Sequence, residues 1–506
     1  MRKIMNVAQL VDFAADKYRD KDFCRFIRDG KVLTKSFTQF RSDAYAISRY
    51  IREKTHKKLH IAFIGSTSYE YVACLTGMII SGNTVVPFSP VINVNEAATL
   101  FDDADIDILF CEDAFKEKAQ QLHDIYPALQ KTYYLGDTKE FDDIFRSYSY
   151  GDNYPPAPSA ENKEEPALIV YTSGTTGVKK GVMLSDYNLA ANSTYNSYAM
   201  ESDDVTFSIL PMHHIFCYAC DVLKTLYDGG TLCINGELSE MFANFLIFEP
   251  TVMRIVPAIC RTLLTKFRLA GRRNPSLTKR EAAESVVGRN LRRLIAGSAF
   301  LSAALIDEFE EYGITARQGY GMSECSPRIT TADFSDNCKY SNGLLTGVDE
   351  VRVVEGEIQV KGPSVMLGYY KKPEATSEAF TEDGFLHTGD MGRLENGHIY
   401  LSGRKKNIIV LSNGENISPE EIENCFADEE VIKEIIVYAK GDSIFAMIYP
   451  PETADYEEIE NIINMKNLTL TADKQISGFS LVNVPFPKTS TGKIIRQAFS
   501  YEEENK

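Results

Sequence analysis

The chain has 506 residues, enough for about three domains or subdomains at roughly 150 residues each. Lys plus Arg number 54 against 71 Asp plus Glu, a formal charge of −17. Such a surface repels a phosphate backbone and argues against nucleic-acid binding. The opening MRKIMNVAQLVDFAADKYRD lacks the apolar run of a secretory signal, and the longest apolar stretch, Tyr71 to Phe88, is interrupted by Thr76, Gly77, Ser81, Gly82, Asn83, Thr84 and Pro87. The expectation is a soluble cytoplasmic protein with no membrane span.

In chain order, Phe40, Ala44, Ile47 and Ile51 recur at helical spacing, and HIAFI (His60 to Ile64) reads as a short buried strand. Tyr69 to Ile80 predicts a second helix, and Val85–Val86, Ile108 to Cys111 and Thr132 to Leu135 predict further strands separated by helix-length segments. That rhythm belongs to a parallel, doubly wound sheet. Gly151 to Pro166, rich in proline and charge, predicts a surface connection. Strands follow at Leu168 to Tyr171, Thr206 to Leu210 and Leu294 to Ala296, and Glu357 to Tyr400 is dense in short strand and turn signals. GRKKN (Gly403 to Asn407) then marks a domain boundary about 100 residues before the end. Beyond it, Ser418-Pro419-Glu420-Glu421 predicts a helix start with a capping hydroxyl and proline at the first helical position.

Ten scattered cysteines make neither a disulfide framework nor paired metal knuckles. His213, His214, Cys217 and Cys220 have zinc-type ligand chemistry, but no second CxxC accompanies them, and Ile215 to Ala219 reads as an apolar segment burying small thiols.

YTSGTTGVKKG (Tyr171 to Gly181) joins a strand end to four Ser/Thr hydroxyls and two glycines, Gly174 and Gly177, followed by paired lysines. Close backbone approach, hydroxyl donors and cations make a polyphosphate cradle, with a Ser/Thr/Gly surface turn as the alternative. The G-x-x-x-x-G-K-[ST] loop does not fit, because Gly174 and Gly177 are three apart and Lys180 precedes Gly181.

TSGTTG, LPMHH (Leu210 to His214), AGSA (Ala296 to Ala299), GYGMSE (Gly319 to Glu324), HTGD (His387 to Asp390), GRKKNIIVLSNGENISPEEIE (Gly403 to Glu423) and PKTSTGK (Pro487 to Lys493) stand in this order. Together they resemble the adenylate-forming, AMP-binding enzyme superfamily of acyl- and aryl-CoA synthetases and adenylation domains, and most of all its long-chain fatty acyl-CoA ligases. The resemblance runs from about Leu168 to the C-terminus. It implies an α/β fold: a large N-terminal domain of doubly wound sheets with a β-rich subdomain (1–403; subdomains about 1–160, 167–330 and 331–403), and a small, mobile α+β C-terminal domain (404–506).

The implied activity is ATP-dependent conversion of a carboxylic acid to an acyl-adenylate with release of pyrophosphate, followed by acyl transfer to the thiol of CoA. The alternative is loading of an acyl or aryl acid onto the phosphopantetheine of a carrier protein. By resemblance, Thr172, Ser173, Gly174, Thr175, Thr176, Gly177 and Lys180 hold ATP phosphates; Gly297, Ser298, Ala299, Gly319, Tyr320, Gly321, Met322 and Ser323 line the nucleotide site, Tyr320 against adenine. Asp390 and Arg404 take the ribose and phosphate, Glu324 with Thr175 or Thr176 holds Mg2+, His214 borders the acyl and thiol channels, Lys406 is the hinge, and Lys493 serves the adenylation half-reaction. Lys179 stands where the family usually has proline.

Amino-acid adenylation domains place an aspartate just after LPMHH to pair the substrate ammonium; the corresponding Met212 to Cys217 hold no acid, the first one downstream being Asp221, so the resemblance argues against α-amino acids. The chain lacks tryptophan and has Gly321 where short-acid ligases place a tryptophan plug. The expectation is an open apolar channel for a medium- or long-chain fatty acid.

Overall fold

The structure, a computed structural model, describes residues 5–55, 57–136, 138–151, 163–172, 179–194, 201–335, 338–412, 414–488 and 494–496. Its framework is two seven-stranded sheets with helices between them. In the first, Thr84–Phe88, His60–Ile64, Ile108–Glu112 and Lys131–Leu135 run parallel, Leu168–Thr172 adds in parallel beside Thr84–Phe88, and Lys180–Leu184 and Gly368–Tyr369 close the other edge antiparallel. In the second, Thr315–Gln318, Arg293–Ala296, Val252–Ile255, Val205–Ser208, Thr231–Ile234 and Asp22–Arg28 are parallel neighbours, and Lys31–Ser36 folds back as an edge hairpin. Neither sheet is confined to the spans 1–160 or 167–330. The hairpin 22–36 belongs with strands after residue 200, and the strands at 168–184 belong with those before residue 136.

Helices Val7–Tyr18, Phe37–Lys54, Tyr69–Ile80 and Asp186–Thr194 fill the space between the sheets, together with the helical run from Ile215 to Asp228. Two of them start on reciprocal caps, Asn6 with Gln9 and Ser36 with Gln39, which satisfy backbone donors that the first turn leaves open. Tyr69–Ile80 is buried on every face, as its near-continuous apolar sequence requires. Its one acid, Glu70, is paired with Arg28 of the neighbouring sheet.

A six-stranded antiparallel sheet follows, in the order Thr330–Thr331, Leu344–Leu345, His398–Arg404, Leu386–Glu395, Glu357–Lys361 and Glu350–Val354. After Arg404 comes a short turn, Lys405–Asn407, and then a separate core of Leu411, Ile417, Ile422, Phe426, Val437 and their neighbours around Glu434–Lys440, Ser443–Tyr449 and Ile476–Leu481. The helix expected after Ser418 is present but short, Pro419–Asn424, and Ser418 does not cap it. Its hydroxyl donates to Ser402 O at 2.5 Å, so this side chain ties the segment back to the preceding sheet. Among the described residues no helix is long and apolar enough to cross a membrane.

Candidate active site

Parallel strands deliver their C-terminal ends to one edge of a sheet, where ligands of doubly wound folds bind. LPMHH follows Val205–Ser208, AGSA follows Arg293–Ala296 and GYGMSE follows Thr315–Gln318, so three of the motifs meet at that edge. Gly297 N donates to Ile255 O and Gly319 N to Ala296 O, which staggers the strand exits. A Cβ on Gly297 would come within 3.0 Å of the Phe216 ring, so glycine lets the AGSA turn seat against the helical run after LPMHH. Ser298, at φ 67°, turns the chain there and, with Ala299, is exposed.

The antiparallel sheet brings in the charged partners. Asp390 and Arg404 are directly opposite in register, and Arg404 Nε reaches Asp390 Oδ1 at 2.8 Å. The buried Tyr320 phenol donates to Asp390 Oδ2 at 2.7 Å, and burial beside that carboxylate holds the phenol well above its ordinary pKa. Tyr320, Asp390 and Arg404, from three separate motifs, are thus one bonded group. Asp390 N donates to Thr388 Oγ1 and Arg404 Nη1 to Thr388 O, which fixes the stretch of strand that carries the carboxylate.

Glu324 lies on the short turn Ser323–Cys325, is 8% exposed, and accepts from Tyr369 Oη at 3.0 Å. Burial is the largest influence on it and raises its pKa, against the lowering effects of hydrogen bonds and of Arg404. A buried carboxylate facing one phenol is a hard oxygen donor that a divalent cation would stabilise in its charged form, so it fits Mg2+. The proposed hydroxyl partners, Thr175 and Thr176, lie outside the described residues, as do Ser173, Gly174 and Gly177. The structure describes the base of that loop, where Thr172 pairs with Lys180 across an antiparallel ladder. Lys180 Nζ stands 4.8 Å over the Tyr369 ring, while Lys179 pairs with Glu96.

Tyr369 joins the candidate site without having been singled out in the sequence. It reaches Glu324 because Gly368–Tyr369 adds to the first sheet, Tyr369 opposite Val182. The signal was an aromatic pair behind a glycine, LGYY, without any neighbouring motif.

Gly321 requires a correction of its physical account. A Cβ there would come within 2.0 Å of Pro327 O, and Gly321 bridges Arg328 across the turn. Close backbone approach makes glycine obligatory, so its presence carries no information about an open acyl channel. Met322 N donates to Pro327 O in the same turn; Met322 packs on the main core, and Ser323 is half-buried.

His213 and His214 have ring centroids 4.4 Å apart. Burial lowers both, His213 to about 3 with help from its neighbour, so both imidazoles are neutral at pH 7. Cys217 Sγ lies 3.1 Å from Ser208 Oγ and 3.4 Å from Asp221 Oδ2. Asp221 is itself committed: it accepts from Ser208 Oγ at 2.7 Å and pairs with the buried Arg254 at 3.0 Å.

At the domain junction Lys405 Nζ and His387 Nδ1 both reach Glu357 Oε2, at 2.9 and 3.0 Å, and Asn407 donates to Glu420. Lys406, between them, has its pKa lowered first by burial and then by Arg404. Lys493 lies outside the described residues. The chain on either side of its loop is pinned: Lys488 bridges Ile494, and Arg496 pairs with Glu423 and donates to Val437 O.

Comparison with known proteins agrees with this layout. A long-chain-fatty-acid–CoA ligase 1 of Homo sapiens is 30% identical over 354 residues, covering 60% of this chain and 49% of that protein, so the chain spans about half the length of such relatives. A long-chain-fatty-acid–CoA ligase of Bacillus subtilis is 27% identical over 555 aligned positions, covering 98% of this chain and 94% of its own. Among solved structures, the anthranilate CoA ligase AuaEII with anthranoyl-AMP superposes at TM-score 0.82 and 18% identity, over 98% of this chain and 97% of that one. ATP-bound MatB from Rhodopseudomonas palustris superposes at 0.79 and 23%, over 98% of both chains. The family model for AMP-binding enzymes matches residues 11–370 and that for the AMP-binding enzyme C-terminal domain matches 406–504, and with the motifs gathered at one strand edge this chain belongs to the AMP-binding enzyme family.

Proposed function

We propose that the protein is an AMP-forming acid–thiol ligase that activates a medium- or long-chain fatty acid with ATP and passes the acyl group to CoA. The observation that carries this reading is the bonded group Tyr320–Asp390–Arg404 beside buried Glu324, at the strand edge where ligands of doubly wound folds bind. Asp390 is oriented by a phenol and a guanidinium and offers acceptor oxygens to ribose hydroxyls. Tyr320, held by its own hydroxyl, cannot swing, and so presents a fixed ring edge or face to a base. Glu324 with a loop hydroxyl would hold Mg2+, which supplies charge neutralisation at the phosphates. The acid's carboxylate attacks the α-phosphorus and pyrophosphate leaves; Lys493, brought by the small domain, neutralises charge between the approaching anions. Residues 404–506 then rotate about Lys406, and a thiol attacks the acyl carbonyl with AMP as leaving group.

The acid's class follows from what surrounds LPMHH. With Asp221 engaged by Arg254 and both histidines neutral, an ammonium entering beside Met212 to Cys217 finds no carboxylate waiting. An alkyl chain needs none. The fatty-acid-ligase relatives support the same assignment. The test is exchange of labelled pyrophosphate into ATP across a panel of acids, followed by thioester formation with CoA and with a phosphopantetheinylated carrier protein. Exchange with octanoate or longer acids and product with CoA is expected. Exchange only with amino acids, or none with any acid, refutes the assignment.

A further inference from the structure

The second sheet carries on its outer side a surface whose charge is opposite to that of the molecule. Between Pro257 and Arg293 there are ten Lys and Arg against two Asp and Glu, in a chain of net charge −17. Most of these cations are engaged: Arg268 with Glu308, Lys279 with Glu311, Arg280 with Glu284, Arg292 and Arg293 with Asp204, and Arg261 with the carbonyl of Ala427. Lys266, Arg272, Arg273 and Arg289 form no ion pair among the described residues. The three on the helix Pro257–Arg273 lie in its last two turns, about 14–24 Å along its axis from the end nearest the strand edge, so they are no part of the nucleotide site.

Bulky apolar side chains stand among them. Leu246 is 53% exposed, Ile247 52% and Leu269 37%. Lys266 Nζ sits 5.2 Å from the Phe242 ring, which places the helix Met241–Phe248 against the basic helix. Beside them opens a shallow cleft of about 380 Å³, lined in part by Lys266, Leu269, Arg273, Leu277 and Val286. The carboxylates of Glu240 and Glu249 flank the short helix at its two ends and leave the cations in excess.

We propose that this face docks on an anionic phospholipid bilayer. Unpaired cations meet headgroup phosphates, and branched side chains that would otherwise stand in water reach the acyl boundary. The remaining, acidic surface is repelled by the same membrane, so attachment is oriented with this face down. The proposal is independent of which acid is activated.

Sedimentation of the full chain with vesicles of phosphatidylcholine, alone or mixed with phosphatidylglycerol, tests it. Wild type is expected to pellet with the anionic vesicles only, and to be released by salt as the Debye length falls to about 3 Å near 1 M. Lys266→Glu/Arg273→Glu and Leu246→Ser/Ile247→Ser should each weaken binding at least about tenfold, with pyrophosphate exchange on a soluble acid unchanged. If the first pair does not fold, Arg272→Glu/Arg289→Glu replaces it. Equal binding to neutral and anionic vesicles, wild-type binding by the charge-reversed protein, or retention by an acidic protein but not by lipid each overturns the proposal.

Discussion

Asp390 shows how one side chain is made competent by two others. Its oxygens are oriented by Tyr320 at 2.7 Å and Arg404 at 2.8 Å, each from a different strand exit or sheet. For Asp390→Ala, losing two charge-assisted hydrogen bonds to ribose at about 1.5–3 kcal/mol each implies ATP binding weaker by at least roughly tenfold. Calorimetric titration with ATP measures this, and unchanged affinity would move the ribose elsewhere. Gly321 gives a prediction of a different kind. Because a Cβ there meets Pro327 O at 2.0 Å, Gly321→Ala must displace the turn that carries Glu324 and Tyr320. Activation of octanoate and of propionate should therefore fall together, by at least about tenfold in kcat/KM, with their ratio kept within about twofold. A selective loss for the longer acid would place residue 321 in the acyl channel after all.

At the scale of elements, the segment after Val205–Ser208 links packing to pH. His213 is held neutral by burial, down to about 3, whereas the unfolded chain binds a proton at about 6.5. Between those values the unfolded state carries the extra proton, so stability is lost as pH falls through the window. From pH 7.5 to pH 5 wild type should lose about 2 kcal/mol more than His213→Asn, read from denaturant midpoints at the two pH values. Equal losses would show the imidazole is solvated. The same element shows what sequence could and could not convey. The buried strands His60–Ile64, Ile108–Glu112 and Arg293–Ala296 were legible because β-branched and aromatic runs bounded by turns have few other solutions. The joining of Asp22–Arg28 to Thr231–Ile234, and of Gly368–Tyr369 to Lys180–Leu184, was not, because pairing across some 200 residues leaves no local trace. Tyr369 went unseen for that reason, while Tyr320, Glu324, Asp390 and Arg404 were singled out through motifs, and the structure brings them together. Ser418 misled through a correct local pattern overridden by a tertiary partner, Ser402 O.

For the whole molecule, the proposed function asks one site to serve two half-reactions. Among the described residues the C-terminal core contributes no strand to the sheets before it, and the chain crosses between them at Lys405–Asn407, whose two end residues are held by Glu357 and Glu420. A junction of three residues can turn as a hinge if its backbone dihedrals are free to change. On the proposed function the ammonium of Lys493 serves the adenylation step, where carboxylate and phosphate approach with like charge; the thioester step has no such encounter. Lys493→Ala should thus cut acyl-adenylate formation by at least about a hundredfold and leave thioester formation from supplied acyl-adenylate within about threefold of wild type. Lys406→Pro should do the reverse. Proline fixes φ near −65° and removes the N–H, which restricts rotation at the hinge without touching the nucleotide group of Tyr320, Asp390 and Arg404. Single-turnover measurements of each half-reaction separate the two variants. Should both lose both steps alike, residues 404–506 do not alternate between two placements, and the lysine and the junction act through the stability of a single one.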